Sequence, residues 1–259
     1  MQKPIQNERF KAGAIHAALS LVIAMAISSI VFKIWFPAPL SEITSSTSLY
    51  WLVIAVDAIC GPLLLLIIWN PKKPRKELFI DAFIVVAIQF GALGYGIWTI
   101  FQIRPVYVVF ETDRLRMVNA AEIDHVDLEK APVRWKRLPL LGPELVSTRT
   151  PKDGDEMLRS IELSLSGKEP SVRPEMWEEY ASAKEKVRAV SRTLPELLAV
   201  YPDKQVEIYR LAEEFGVPHT SVVWLPFTSV RSMDWVALID ARNMEPFTYI
   251  PGDGFIPRN

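Results

Sequence analysis

Apolar residues gather in three long runs near the start of the chain and then recur in short periodic bursts. Ala14–Phe36 is a run of 23 residues whose only charge is Lys33. That lysine lies near one end, where its stem can reach the headgroups. The run is too long for the apolar core of a secretory signal and no small-x-small cleavage site follows, so a retained membrane helix is expected, stopped by Pro37 and Pro39. Leu49–Trp69 is the second candidate span, with Trp51 and Trp69 as interface anchors, Asp57 inside it and Gly61–Pro62 near its middle. Leu78–Phe101 is the third, with Asp81 near its start, Gln89 at its centre and the small residues Gly91, Ala92, Gly94 and Gly96 beyond. Small residues at such spacing let two helix backbones approach closely.

From Arg104 on, the pattern changes. Val106–Phe110 is β-branched and aromatic and predicts a strand, with Leu115–Val118 as its hairpin partner. Leu158–Leu165 alternates well enough to predict another strand, ended by Gly167. Trp177–Leu194 reads as a helix. So does Lys204–Phe215, with Asp203 as a candidate cap and Gly216 and Pro218 at its end. Val222–Phe227, Trp235–Asp240 and Phe247–Ile250 predict closing strands, and residues 125–155, rich in proline and charge, predict irregular structure. The expected architecture is a three-helix transmembrane anchor (residues 14–103, after a tail of residues 1–13) and an α+β domain over residues 104–259. That domain is expected to fold as an isolated fragment, since it is large enough for one core and contains no cysteine.

Composition sharpens the division. The 259 residues carry 29 basic and 30 acidic side chains, a mean hydropathy of +0.16 and 50% hydrophobic residues. A disordered chain, a coiled coil and a basic nucleic-acid binder are excluded. Basic residues set the orientation. Lys3, Arg9 and Lys11 in the tail and Lys72, Lys73, Arg75 and Lys76 between the second and third spans all fall on one side, against Lys33 and Arg104 on the other. The N-terminus is therefore expected in the cytoplasm and the C-terminal domain outside, in the periplasm of a bacterium. Cys60, the single cysteine, sits in an apolar run and reads as a small buried hydrophobe.

Catalytic chemistry finds little support. His16, His125 and His219 are scattered, and the chain has no Cys-x-x-Cys, no glycine-rich phosphate loop and no G-x-S-x-G elbow. Glu122–Glu129 is acidic but lacks the spacing of a calcium loop and reads as a solvated face, and Pro251–Gly254 reads as a turn. Intramembrane polar groups say more, because a charge in hydrocarbon costs about 2.5–3.5 kcal/mol on insertion scales. Asp57 is open to three readings: a hydrogen bond between helices, with Gln89 as partner; a docking point for a polar group on another membrane helix; or part of an ion path. The Gly61–Pro62 pair most simply kinks the second span.

Several segments taken together resemble one family. They are WFPAPL (Trp35–Leu40), DxxxGPLLLLI (Asp57–Ile67), DxFIVVAIQFGALGYG (Asp81–Gly96), RPVYVVFxxDR (Arg104–Arg114), AEID (Ala121–Asp124), WLPF (Trp224–Phe227) and DWVALID (Asp234–Asp240). In order and spacing they are similar to the type IV pilin accessory proteins of the TfpX/TfpZ family. Members often carry D-x-x-T/S-G-E before the last strand, where this chain has Asp240–Glu245 (DARNME) without the glycine. The resemblance implies a multi-pass inner-membrane, chaperone-like factor that supports stability and assembly of a type IV pilin. It implies no enzyme activity and no cofactor, with the pilin, other pilus-assembly components and membrane lipid as partners and no nucleic acid. The candidate partner-binding residues, read from the polar and small positions of the second and third spans, are Asp57, Gln89, Gly91, Ala92, Gly94 and Gly96. The rival reading is a membrane-anchored periplasmic sensor or ligand-binding module. It needs a concave polar pocket, and the short N-terminal tail offers it no output element.

Overall fold

A computed structural model describes residues 3–44, 50–51, 54–55, 59, 63–64 and 73–257. The chain forms two compact units, Met1–Ile34 with Ser45–Ile103, and Trp35–Thr44 with Arg104–Asn259.

The first unit is helical. α1 spans Lys3–Ile30 and runs into one π-helical turn, Val31–Trp35. Ser28 and Ser29 turn their hydroxyls back onto the carbonyls of Ala24 and Met25 four residues earlier, which satisfies them inside an apolar helix. Tyr50 is buried in this unit, its ring edge-on to Phe32 at 4.8 Å and its hydroxyl on Ser28 Oγ and the Ala24 carbonyl. Two helices among the described residues are long and apolar enough to cross a membrane, Ala17–Trp35 and Lys76–Gln102. The latter belongs to α3, Arg75–Gln102. Most of the middle run, Leu49–Trp69, lies outside the described residues, and with it Asp57, Cys60 and the Gly61–Pro62 kink.

The second unit is a mixed α/β domain. A short helix α2 (Leu40–Ile43) precedes it in the chain. The sheet has eight strands: β1 (Pro105–Glu111), β2 (Arg114–Asn119), β3 (Glu144–Thr148), β4 (Trp177–Glu179), β5 (Arg192–Thr193), β6 (Val222–Thr228), β7 (Trp235–Asp240) and β8 (Glu245–Pro251). Their order is β4-β3-β1-β2-β6-β7-β8, with β5 paired to β6. The β1–β2, β3–β4, β6–β7 and β7–β8 pairs are antiparallel, while β1–β3 and β2–β6 are parallel.

Every residue of β1 is buried, which is what a continuous VYVVF run requires of a strand covered on both faces. Val108 and Phe110 feed one core, and Tyr107 and Val109 the other. The same period of two runs through β6 and β7. Leu225, Phe227, Ala237 and Ile239 join the core of Val108, whereas Trp224, Val236 and Leu238 turn the other way. Helix α6 (Tyr180–Val190) covers the first face through Tyr180, Ala183 and Val187. Helices α7 (Leu194–Val200) and α8 (Gln205–Glu214) cover the Trp224 face through Leu197, Ile208 and Ala212.

Four sequence expectations are corrected here. Leu158–Leu165 is not a strand but the second half of helix α5 (Gly154–Leu165). Asp153 caps this helix by accepting a hydrogen bond from the Glu156 backbone, and Gly167, at φ +87°, follows its end. Residues 125–155 are not irregular throughout, since they include helix α4 (His125–Leu128) and β3, which pairs with β1. The helix expected from Trp177 begins only at Tyr180, because Trp177 and Glu178 pair with Thr148 and Ser147 as the edge strand β4. Asp203 lies in a 3-10 turn before α8 and does not cap it, while Gly216 ends α8 with φ +66°.

The domain is also not confined to residues after Arg104. Leu40 and Ile43 are almost fully buried in the core of Val108, Phe110 and Phe227. WFPAPL therefore does more than stop the first span: it leads directly into a helix that completes the domain's core. The expected self-sufficient fragment from Arg104 lacks both side chains.

The β7–β8 hairpin resolves the missing glycine. Met244 occupies the left-handed region at φ +61°, with its amide on the Asp240 carbonyl at 2.7 Å. Its side chain is 2% exposed, and its carbonyl accepts the Tyr180 hydroxyl. Burial of the thioether offsets a backbone conformation that glycine would adopt freely.

Candidate functional site

The expected partner-binding residues of α3 fall on different sides of the helix. Val85, Gln89, Leu93, Gly96 and Ile100 recur at three- and four-residue spacing; Gln89 is half-buried and the other four are buried. Gln89 lines a small cleft of about 70 Å³ with Leu19 and Ser20 of α1 and Val86, Phe90 and Leu93 of α3. Gly91, Ala92 and Gly94 are exposed, and a methyl group built on Gly91 or Gly94 would meet no atom within 4 Å. Gly96 thus belongs to the buried stripe, and Gly91 and Gly94 to the open side. Asp57 lies outside the described residues. Asp81 is half-buried and paired with Lys73 at 2.5 Å.

In the α/β domain, polar side chains tie the 149–176 segment to the sheet. Arg116 donates to Ser171 at 2.8 Å and to Glu122 at 2.9 Å, and lies 3.3 Å from Glu169. Glu111 accepts the Ser171 amide, and buried Arg173 donates to Ser160 of α5. Glu122 is therefore not on a solvated face, and burial pushes its carboxyl above the usual range. Asp127 is held below its ordinary value by hydrogen bonding to Lys130 and Lys168. Arg149 grips Glu156 with both terminal nitrogens, at 2.6 and 3.0 Å, and holds its carboxyl down at about 2.

Helix α5 has its amphipathic pattern turned outward. Its inward side carries Ser160, Ser164 and Glu156, while Met157, Leu158, Ile161 and Leu165 are 46, 63, 50 and 85% exposed. Beside Met157 and Ser160 runs a groove of about 520 Å³, lined also by Phe110, Met176, Ala189 and Val190. The strand expected over Leu158–Leu165 hides this surface. The i, i+3, i+7 spacing of Leu158, Ile161 and Leu165 after a capping Asp153 is the signal that reveals it.

Among the described residues the geometry assembles no reaction centre. Among the described residues no three His, Cys, Asp or Glu side chains are placed to hold a metal ion. His219 stacks flat on Tyr209 at 4.1 Å. The phenols of Tyr107, Tyr180 and Tyr249 are pushed up by burial and stay neutral. What the arrangement offers instead is exposed apolar surface: along the two long helices of the first unit and along α5 of the second.

Comparison with known proteins finds relatives along nearly the whole chain. The sequence profile of the family described as fimbrial assembly protein FimB matches residues 6–45. That stretch covers α1 and the segment through α2 that enters the domain core. Along its whole length the chain is similar to two proteins of Dichelobacter nodosus. It is 33% identical over 246 residues to the fimbrial assembly protein of serogroup E1 and 32% identical over 246 residues to that of serogroup I, covering 95% of both chains in each case. A shorter stretch of 113 residues, 44% of this chain and 86% of the relative, is 39% identical to the fimbrial assembly protein of serogroups C1 and C2. No solved structure matches. The chain belongs to the fimbrial assembly protein family.

Proposed function

We propose that the protein is an inner-membrane accessory factor that supports the stability and assembly of a type IV pilin into pili. The observation that carries this reading is similarity to fimbrial assembly proteins over 95% of both chains, so membrane region and domain are inherited together. In this reading the chain crosses the membrane three times, through Ala14–Phe36, Leu49–Trp69 and Leu78–Phe101. The basic tail and the Lys72–Lys76 loop lie in the cytoplasm and the α/β domain lies in the periplasm. The factor acts by holding its client, not by catalysis. The client's membrane-embedded part is received by the third span, where Gly91, Ala92 and Gly94 present an open side, while Gln89 and Gly96 organise the bundle and Asp57 supplies a polar contact.

In-frame deletion tests the reading. Loss of surface pili and faster turnover of the major pilin, measured by pulse-chase and restored by the full chain in trans, is the expected result. Normal pilin lifetime and normal piliation in the deletion strain would refute it. Topology is tested separately: reporters after residue 257 should be active only when the tag works in the periplasm, and reporters within residues 71–77 only in the cytoplasm.

A further inference from the structure

Helix α5 packs on its domain with the wrong side, as the hydrophobic effect would have it. Its inward side carries buried Ser160, held by Arg173, and half-buried Glu156, Leu163 and Ser164, with Glu156 held by Arg149, while four large apolar residues point to water. At about 100° per residue, Met157, Ile161, Leu165 and Leu158 fall within one arc of about 100°. On one border of this arc, Met157 continues into the groove floored by Phe110, Met176 and Val190, so the apolar surface extends off the helix and onto the domain. On the other border stand Glu162 and Asp155, both exposed and neither in an ion pair among the described residues, with Arg159 further round.

A stripe of this kind can be covered by lipid, by a second copy or by another protein, and the charges choose among them. A helix that lies in a bilayer surface carries lysine and arginine beside its apolar face; here the helix border is acidic, and the two cations that line the groove, Arg149 and Lys186, are each paired with a glutamate. Two copies meeting through α5 would face acidic borders to each other. An amphipathic helix from another protein meets both features. Its apolar side would fill the arc and the groove, and basic residues would reach Glu162 and Asp155.

We propose that α5 and the adjoining groove form a docking surface for an amphipathic, basic helix of a protein partner. The inference is independent of whether that partner is a pilin. The test uses the full chain in nanodiscs of zwitterionic lipid, with empty discs as the blank. The probe is an amidated peptide of about 14 residues with leucines at i, i+3, i+4 and i+7 and lysines elsewhere; controls are its glutamate counterpart and a scrambled sequence. The lysine peptide should bind saturably and one to one. Ile161→Asp and Leu158→Asp should each weaken it by at least about tenfold, with unchanged melting transitions because both side chains already face water. Glu162→Gln with Asp155→Asn should weaken it less and flatten its dependence on salt. Equal binding of the glutamate or scrambled peptide, or indifference to Ile161→Asp, would overturn the proposal. Dimerisation of the wild type that Ile161→Asp abolishes would assign the face to a second copy and overturn it equally.

Discussion

Helices α3 and α5 both turn rows of large apolar side chains outward, but around very different fractions of their circumference. On α3 the exposed residues Phe79, Ile80, Phe83, Ile84, Ile88, Phe90, Tyr95 and Trp98 spread over about half of the helix surface, with no charge from Ala82 to Gln102. On α5 four apolar residues occupy one arc of a helix that otherwise carries Asp155, Glu156, Arg159 and Glu162. The first pattern is what hydrocarbon as a solvent produces, because every outward position must then be apolar. The second is what a helix in water shows when one face awaits a specific partner. Equal exposure thus has two physical meanings, distinguished by the charges around it.

The largest expected effect tests whether the two regions are separable at all. Leu40 and Ile43 lie between the two long apolar helices in sequence yet sit in the core of the α/β domain. Leu40→Ala and Ile43→Ala should each cost about 2–5 kcal/mol of domain stability, as large-to-small core substitutions do. Urea unfolding followed by domain tryptophan fluorescence reads the loss. A double variant with an unaltered midpoint would mean that α2 merely rests on the domain.

The glycines of α3 sharpen the comparison from the membrane side. Gly94→Leu adds bulk on the open side, so the protein should accumulate normally while pilus number falls several-fold. Gly96→Leu adds bulk inside the buried stripe, so the level of the protein itself should fall. Immunoblots of the protein and of surface pilin separate the outcomes. Identical behaviour of the two variants would remove the distinction between the faces. Asp57→Asn should retain function through its remaining hydrogen bond, and Asp57→Leu should insert at least as well but recover less pilin.

How much of this was legible in the sequence follows from where the periodicities are clean. β1, β2, β6, β7, β8 and α8 lie where expected, because each strand is a β-branched or aromatic run of the right length and α8 has a clean 3.6-residue period ended by Gly216 and Pro218. α5 was misread because Leu158, Ile161, Leu163 and Leu165 satisfy both periods over eight residues, and with an outward apolar face no buried side was there to decide. β3 does not show because Glu144–Thr148 follows a proline-rich stretch and gains its place only through pairing with β1, 37 residues earlier. The role of Leu40 and Ile43 was hidden for the same reason: a non-local contact leaves no local pattern. For α3, spacing alone could list small residues but not say which of them the rest of the bundle covers.

Met244 offers a smaller test within the domain. A non-glycine residue at φ +61° carries a backbone cost of about 1 kcal/mol, while its buried side chain is worth more than that. Met244→Ala should therefore be the worse variant, because it keeps the strain and loses the burial. Met244→Gly should recover about 1 kcal/mol relative to Ala in chemical denaturation. An alanine variant at least as stable as the glycine one would show that the turn carries no strain.

The smallest effect is electrostatic and concerns how α5 is held. Glu156 is lowered from 4.5 to about 2, first by its hydrogen bonds from Arg149 and then by the Lys152 amide. A carboxylate lowered in the folded state contributes stability that is complete above its unfolded value and is lost as pH falls towards the folded one. The clasp between Arg149 and the first turn of α5 should accordingly be intact at neutral pH and weaken from about pH 4.5 down to about 2. Because both partners are solvent-accessible, salt screens the pair and the effect is modest. Protection of the α5 amides, taken relative to their intrinsic exchange rates at each pH, should fall over that window in the wild type and lose this pH dependence in Glu156→Gln. Since Leu158, Ile161 and Leu165 depend on α5 for their common face, the glutamine variant should also present the apolar arc less firmly. An exchange profile that is flat with pH in the wild type would show that Ser160 and Arg173 hold the helix without help from the ion pair.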